Sequence, residues 1–438
     1  MKRVPILPKA LGLALALAVH SPAAAAPDLT GVWTLTSTMV EGSVSARLDL
    51  TRKGDAFAGQ SGPLDPLQYC PLTYAGAVVG QELRLTVACR GQEVGTISLR
   101  PDRSGLAGQG RIFGTPVGLA AVRPSAAAPG AARTRVYDPI GYHPTNSAAP
   151  APVMLVSPGE TIRTRTIDPY GIDASGASVS MPGNPGTGPF YVEGALPGDT
   201  VAIRIKSLKP NRDTARMNAA LDPAVLTPGY APQPGAIRDV FWTLDPASGT
   251  ARLRSPSDKL KDFRMPLRPM LGVVTVALPG GRAVPNREIG EWGGNLDYPE
   301  IREGVTLYLP VFQPGALIYL GDGHARQADG EVTGQGLETS MDVEFQVDVI
   351  KGPALGQPWA ENLDYVMVSG IWGSLDGALR RATTGMAVWL KQTYRLDDSE
   401  VAAVMGAALE YDVAAVIGAQ MHVVAKVRKD VLAQLPKP

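Results

Sequence analysis

Ala316-Leu317-Ile318-Tyr319-Leu320-Gly321-Asp322-Gly323-His324-Ala325-Arg326-Gln327-Ala328-Asp329-Gly330-Glu331 is the stretch on which the fold and the chemistry turn. Its first five residues form a short apolar run, which predicts a buried strand. Glycines then alternate with acidic residues and one of only four histidines in the chain, the others being His20, His143 and His422. Histidine and carboxylates bind hard or borderline divalent metals and move protons. Glycine lets the backbone take positive φ or approach a ligand closely. Asp-Gly pairs also mark ordinary hairpin turns, so a solvated β-turn is the competing reading of the same residues.

Working outward, the flanking sequence is rich in short strands. Thr161–Ile167, Val201–Ile205, Leu271–Ala277, Val305–Leu309 and Met341–Val347 are each strand candidates, separated by turn signals such as Pro158-Gly159-Glu160 and Pro197-Gly198-Asp199. Helix is expected late. From Leu375 to Gln392, apolar residues fall at Leu375, Leu379, Ala382, Met386 and Trp389 or Leu390, the spacing of one helical face. Asp398 is a candidate N-cap for a second helix, and Val413–Ile417 and Met421–Val427 close the chain as strands. His422, on the last of these, reads as structural.

Upstream, residues 27–123 alternate at period two in Ala46–Thr51, Leu83–Val87 and Gly95–Leu99, with Gly turns between, which predicts a small antiparallel barrel or sandwich. Residues 124–150 are dominated by Pro, Ala and Gly and read as a linker. The catalytic body then spans 151–438. The expected class is mainly β with some α, a β-rich body carrying a small N-terminal β domain.

The 438 residues suffice for two or three domains. Lys+Arg and Asp+Glu are 41 each, so no basic excess argues for nucleic acid or an anionic membrane. Lys2 and Arg3, the apolar run Leu11–Val19 and the small residues Ala23–Ala26 form an export signal over residues 1–26, too short in its apolar part to span a bilayer. A periplasmic or secreted protein is therefore expected, with no transmembrane segment in the mature chain. In an oxidising compartment Cys70 and Cys89, the only two cysteines, read as one disulfide.

Four stretches resemble one family. Asn184-Pro185-Gly186-Thr187-Gly188-Pro189-Phe190-Tyr191-Val192-Glu193-Gly194-Ala195-Leu196-Pro197-Gly198-Asp199, Gly293-Gly294-Asn295-Leu296-Asp297, Leu307-Tyr308-Leu309-Pro310 with Pro314-Gly315-Ala316-Leu317, and the Gly321–Gly334 segment are similar, in order and spacing, to motifs of the acetamidase/formamidase amide hydrolases. The resemblance covers about residues 145–435. Residues 27–123 have no counterpart in it, and Ala328 stands where that pattern has Gly. It implies a metal-dependent hydrolase acting on a small amide.

An amide needs an activated nucleophile, an oxyanion stabiliser and a proton donor for its nitrogen. No Gly-x-Ser-x-Gly nucleophile motif stands out, which leaves water activated by a metal and a carboxylate. The expected ion is divalent, zinc foremost, held by His324, Asp322 and Asp168. Glu331 is the expected general base and later proton donor. Asp329 is a ligand or orients His324, and Asn295 contacts the substrate amide or oxyanion. Glu193 reads as structural, and His143 as a remote candidate. An exported binder without turnover, or a hydrolase of a cyclic amide, stays open, as does homodimer formation.

Overall fold

The computed structural model describes residues 28–39, 42–61, 72–102, 105–123, 133–230, 239–352 and 354–436. Residues 1–26, expected to be an export signal, Cys70 and the first part of the expected linker lie outside the described residues.

The N-terminal unit is a closed antiparallel barrel of eight strands, β1 (Gly31–Met39), β2 (Gly42–Lys53), β3 (Ala56–Ser61), β4 (Leu72–Val79), β5 (Glu82–Cys89), β6 (Gln92–Asp102), β7 (Gly105–Ile112) and β8 (Thr115–Val122). β1 pairs with both β2 and β8, which closes the ring and removes the free edges. The alternation legible in the sequence is the cause. Leu48, Leu50, Leu83, Leu85, Val87, Ile97 and Leu99 point inward and are buried, filling the barrel as its own core.

The chain enters the second unit earlier than its Pro/Ala-rich composition suggests. Thr134–Val136 pairs in parallel with Thr161–Thr166, so it is the edge of a nine-stranded sheet rather than part of a linker running to residue 150. That sheet carries Thr200–Pro210 and Met341–Ile350 at its centre and ends at Glu410–Ala415. A second, eleven-stranded sheet holds the site. Its middle strands, Ile318–His324 and Met270–Thr275, are buried at every position and read as continuous apolar runs because both faces are covered. Phe190, Ile203, Leu320, Phe345 and their neighbours form the core between the sheets.

Helix α1 (Leu375–Tyr394) starts at its N-cap Ser374, whose side chain accepts from the Gly377 N–H. It buries Ala378, Ala382, Met386, Trp389 and Leu390. Leu375 and Leu379, expected on that face, are 46% and 42% exposed. The reason is Gly370 on the strand below, where an added Cβ would come within 2.0 Å of the Ala378 carbonyl and 2.7 Å of the Ala382 Cβ. The helix turns its small residues to the sheet and rides close to it. Helix α2 (Asp398–Ala408) is capped by Asp397 rather than Asp398, in a reciprocal box with Glu400. Among the described residues no helix is long and apolar enough to cross a membrane.

Candidate active site

The strand expected to end at Leu320 continues through His324. Gly321 and Gly323 are therefore strand residues, not hairpin turns. At Gly323 a Cβ would meet Met341 Cγ at 2.3 Å, so the glycine serves close packing. Asp322 lies between them with φ +53°, which aims its carboxylate out of the regular pleat. The partner strand leaves room for it. A Cβ at Gly272 would fall 2.5 Å from Asp297 Oδ1 and 2.7 Å from Asp322 Oδ2.

Register brings the next group. His324 pairs across the ladder with Glu338. Its Nε2 lies 2.9 Å from Glu338 Oε2 and 3.4 Å from Asp322 Oδ1. On the other side of the ring, Nδ1 lies 2.7 Å from Gln327 Oε1. Gln327 in turn donates its Nε2 to the Asp297 carbonyl at 2.6 Å. That bond fixes the amide so that Oε1 faces the ring, and Nδ1 must carry the proton. In its neutral form the ring presents an Nε2 lone pair to two carboxylate oxygens. All three atoms are buried and without a hydrogen-bond partner among the described residues.

Asp297 and Glu331 stand beside this triad. Both have left-handed backbones, φ +41° and +48°. Asp322, Asp297, Glu331 and Glu338 are all under 9% exposed, His324 not at all. Two groups here have ligand atoms within 4.8 Å of one another, Asp322–His324–Glu338 and Asp297–His324–Glu331. Four carboxylates around one imidazole carry more negative charge than a dry site tolerates. Burial pushes the Glu331 carboxyl up to about 7 and Glu338 to about 8, with neighbouring Asp322 adding to both. Burial, then Glu331 and Asp322, raise Asp297 well above the usual carboxylate range. For His324 burial opposes charge, but Glu338 and Asp322 outweigh it and hold the imidazolium form well above its ordinary range. The cluster thus takes up protons, or a cation in their place. With the imidazolium proton lost, three lone pairs converge there and fit a divalent ion, with His324, Asp322 and Glu338 as the holding set.

The cluster forms the floor of a cavity of about 440 Å³, lined by Asn184, Asn295, Asp297, Asp322, Glu331, Gln335 and Glu338, among others. Asn184 donates to Asn295 Oδ1 at 2.9 Å and to Asp322 Oδ2 at 2.7 Å, and Asn295 donates to Asp297 Oδ2. Asn295, expected to contact substrate, lies in the wall but spends its amide on orienting carboxylates.

Two expected residues lie elsewhere. Asp168 is not in either ligand group. It is buried against Arg212 (Nη2 to Oδ2, 2.5 Å) and accepts the Tyr170 and Ile172 N–H groups, so its oxygens are saturated by a loop-anchoring ion pair. Asp329 is exposed at the turn, and burial together with Asp412 raises its carboxyl. The residue that orients His324 is Gln327. His143 bonds through its backbone to Gly186 and packs its ring edge-on to Tyr319 (5.8 Å), away from the cavity lining. His422 is structural, bridging the Leu296 carbonyl and Ser369 Oγ, with burial lowering its pKa to about 4. Glu193 accepts from Ser157 Oγ at 2.6 Å, a side chain rather than backbone.

Glu338, Asp297 and Gln327 were not among the expected ligands or catalytic groups. Asp297 and Gln327 stood inside quoted motifs. Glu338 had no local signal, because only strand register sets it opposite His324.

The fold and the site define a β-rich protein with a buried imidazole–carboxylate centre at the base of a small polar cavity. The chain is similar to proteins of the acetamidase/formamidase family. The sequence model of the Acetamidase/Formamidase family matches residues 270–365. The acetamidase of Mycolicibacterium smegmatis is 40% identical over 78 residues and a putative formamidase of Schizosaccharomyces pombe 37% over 78. Each alignment covers 18% of this chain and 18% of the relative's length. Solved structures are matched nearly whole. A predicted acetamidase/formamidase of Thermoanaerobacter tengcongensis superposes with TM-score 0.60 at 25% identity, covering 69% of this chain and 98% of that one. An acetamidase of Bacillus halodurans gives 0.59 at 26%, covering 69% and 99%.

Proposed function

We propose that the protein hydrolyses the C–N bond of a small linear amide to a carboxylate and ammonia, with a divalent ion, zinc foremost, in the cavity floor. The observation that carries this reading is the convergence of Asp322 Oδ1, His324 Nε2 and Glu338 Oε2, buried and unpartnered. The relatives' names, acetamidase and formamidase, support the substrate class. So does a cavity of about 440 Å³, a volume suited to a small ligand.

When bound, such an ion supplies a Lewis acid that polarises a carbonyl and lowers the pKa of water. The chain does the rest. Gln327 keeps the His324 proton on Nδ1, so Nε2 remains a ligand. Asn184 and Asn295 fix the Asp322 and Asp297 carboxylates. Glu331, with its carboxyl near neutrality, takes the proton of the attacking water and returns it to the departing nitrogen. Export to the periplasm or beyond, through residues 1–26, belongs to the same proposal.

The test is ammonia release from formamide and acetamide by the purified protein, with metal content measured alongside. Wild type releases ammonia, and His324→Ala loses both metal and turnover while keeping its circular dichroism spectrum. A His324→Ala variant that is metal-free and fully active sinks the site. A wild type that binds metal and amides without turnover favours a binder.

A further inference from the structure

We propose that Gln335 reads the nitrogen end of the substrate, its Oε1 accepting an N–H of the scissile amide, so that the pocket selects amides that carry an N–H. This rests on the amide-hydrolase reading above and assigns the side chain that sets its specificity.

Gln335 lines the same cavity as Asp322, Glu331 and Glu338. Its Oε1 is buried and has no hydrogen-bond partner among the described residues. Its Nε2 is occupied, donating to the Tyr170 hydroxyl. Tyr170 is itself held: the Arg216 guanidinium lies 3.8 Å from its ring centroid and pairs with Asp239 at 2.8 Å. The glutamine is thus fixed with one acceptor atom left over. A buried acceptor without a donor is unfavourable unless a ligand supplies one.

The two asparagines of the wall do not compete for this task. Asn184 and Asn295 turn their nitrogens to carboxylates. The carboxylates of the ion site also accept, but as charged groups. A neutral carbonyl oxygen suits a neutral N–H, because it accepts the bond without drawing the proton away. A nitrogen held through its N–H also presents its developing lone pair elsewhere, where Glu331 can protonate it. An amide lacking N–H leaves Oε1 unpaired and gains nothing from the residue.

The experiment uses the zinc-loaded protein. It measures kcat and KM for acetamide by ammonia release, and the inhibition constant of N,N-dimethylacetamide, which has no N–H. Gln335→Met should raise the acetamide KM roughly tenfold, the scale of one lost hydrogen bond. The dimethylacetamide inhibition constant and the metal content should stay unchanged. A merely structural role moves both constants together, and that result overturns the proposal. Unchanged acetamide KM overturns it as well. A wild type that releases no ammonia removes the amide reading itself, and this inference with it. If Gln335→Met does not fold, Tyr170→Phe, which frees the glutamine, carries the test. A raised acetamide KM with unchanged inhibition supports the proposal, and an unchanged KM refutes it.

Discussion

Glu331 sits in a left-handed conformation midway along the loop Ala325–Leu337, with burial holding its carboxyl near 7. A group poised there exchanges protons with both water and an amine leaving group at neutral pH. Glu331→Gln keeps size and hydrogen bonding but removes the exchangeable proton. The expected result is retained metal with kcat reduced by about 10²–10⁴, measured by elemental analysis and ammonia release. Unaltered turnover would reject the role. At this scale the sequence was informative where chemistry and motif coincide. His324, Asp322 and Glu331 stood out, and the structure brings them together. Asp168 did not join them, because a strand-end aspartate looks the same whether it faces an ion or Arg212. Glu338 was invisible, because its place depends on pairing with His324 across a ladder rather than on its neighbours.

At the scale of elements, the site depends on the loop after Thr161–Thr166. Arg212 clamps it, reaching Asp168 Oδ2 at 2.5 Å and the Ile172 and Asp173 carbonyls at 3.2 and 3.3 Å. Pro169, on the same loop, forms part of the cavity wall, and Tyr170 anchors Gln335. Both partners of the ion pair are under 10% exposed. Arg212→Ala leaves a buried carboxylate unpaired, so stability should fall by about 3–5 kcal/mol. Urea unfolding checks this; a change below about 1 kcal/mol would show that the clamp is dispensable. Period-two and helical spacing placed Met341–Ile350 and α1, among the elements they named, near their observed bounds. They missed the rotation of α1 and the continuation of the site strand past Leu320. Both are set by close approach at glycines, Gly370 and Gly323, whose neighbours are remote in sequence.

The whole molecule joins an eight-stranded barrel with its own core to a two-sheet body whose central strands carry the charge cluster. A body this apolar around four carboxylates and one imidazole needs a balancing charge, supplied by protons or by a metal. In the ion-free protein Glu331 and Glu338, raised to about 7 and 8, hold protons at pH 6. An entering cation must displace them, so affinity rises with pH and binding at pH 6 releases protons. Titrating zinc into ion-free protein by calorimetry, at pH 6 in buffers of different ionisation enthalpy, tests this directly. The account predicts stoichiometric binding with net proton release, less release at pH 8.5, and loss of the high-affinity event in His324→Ala. Binding that releases no protons, or that survives intact without His324, would contradict it.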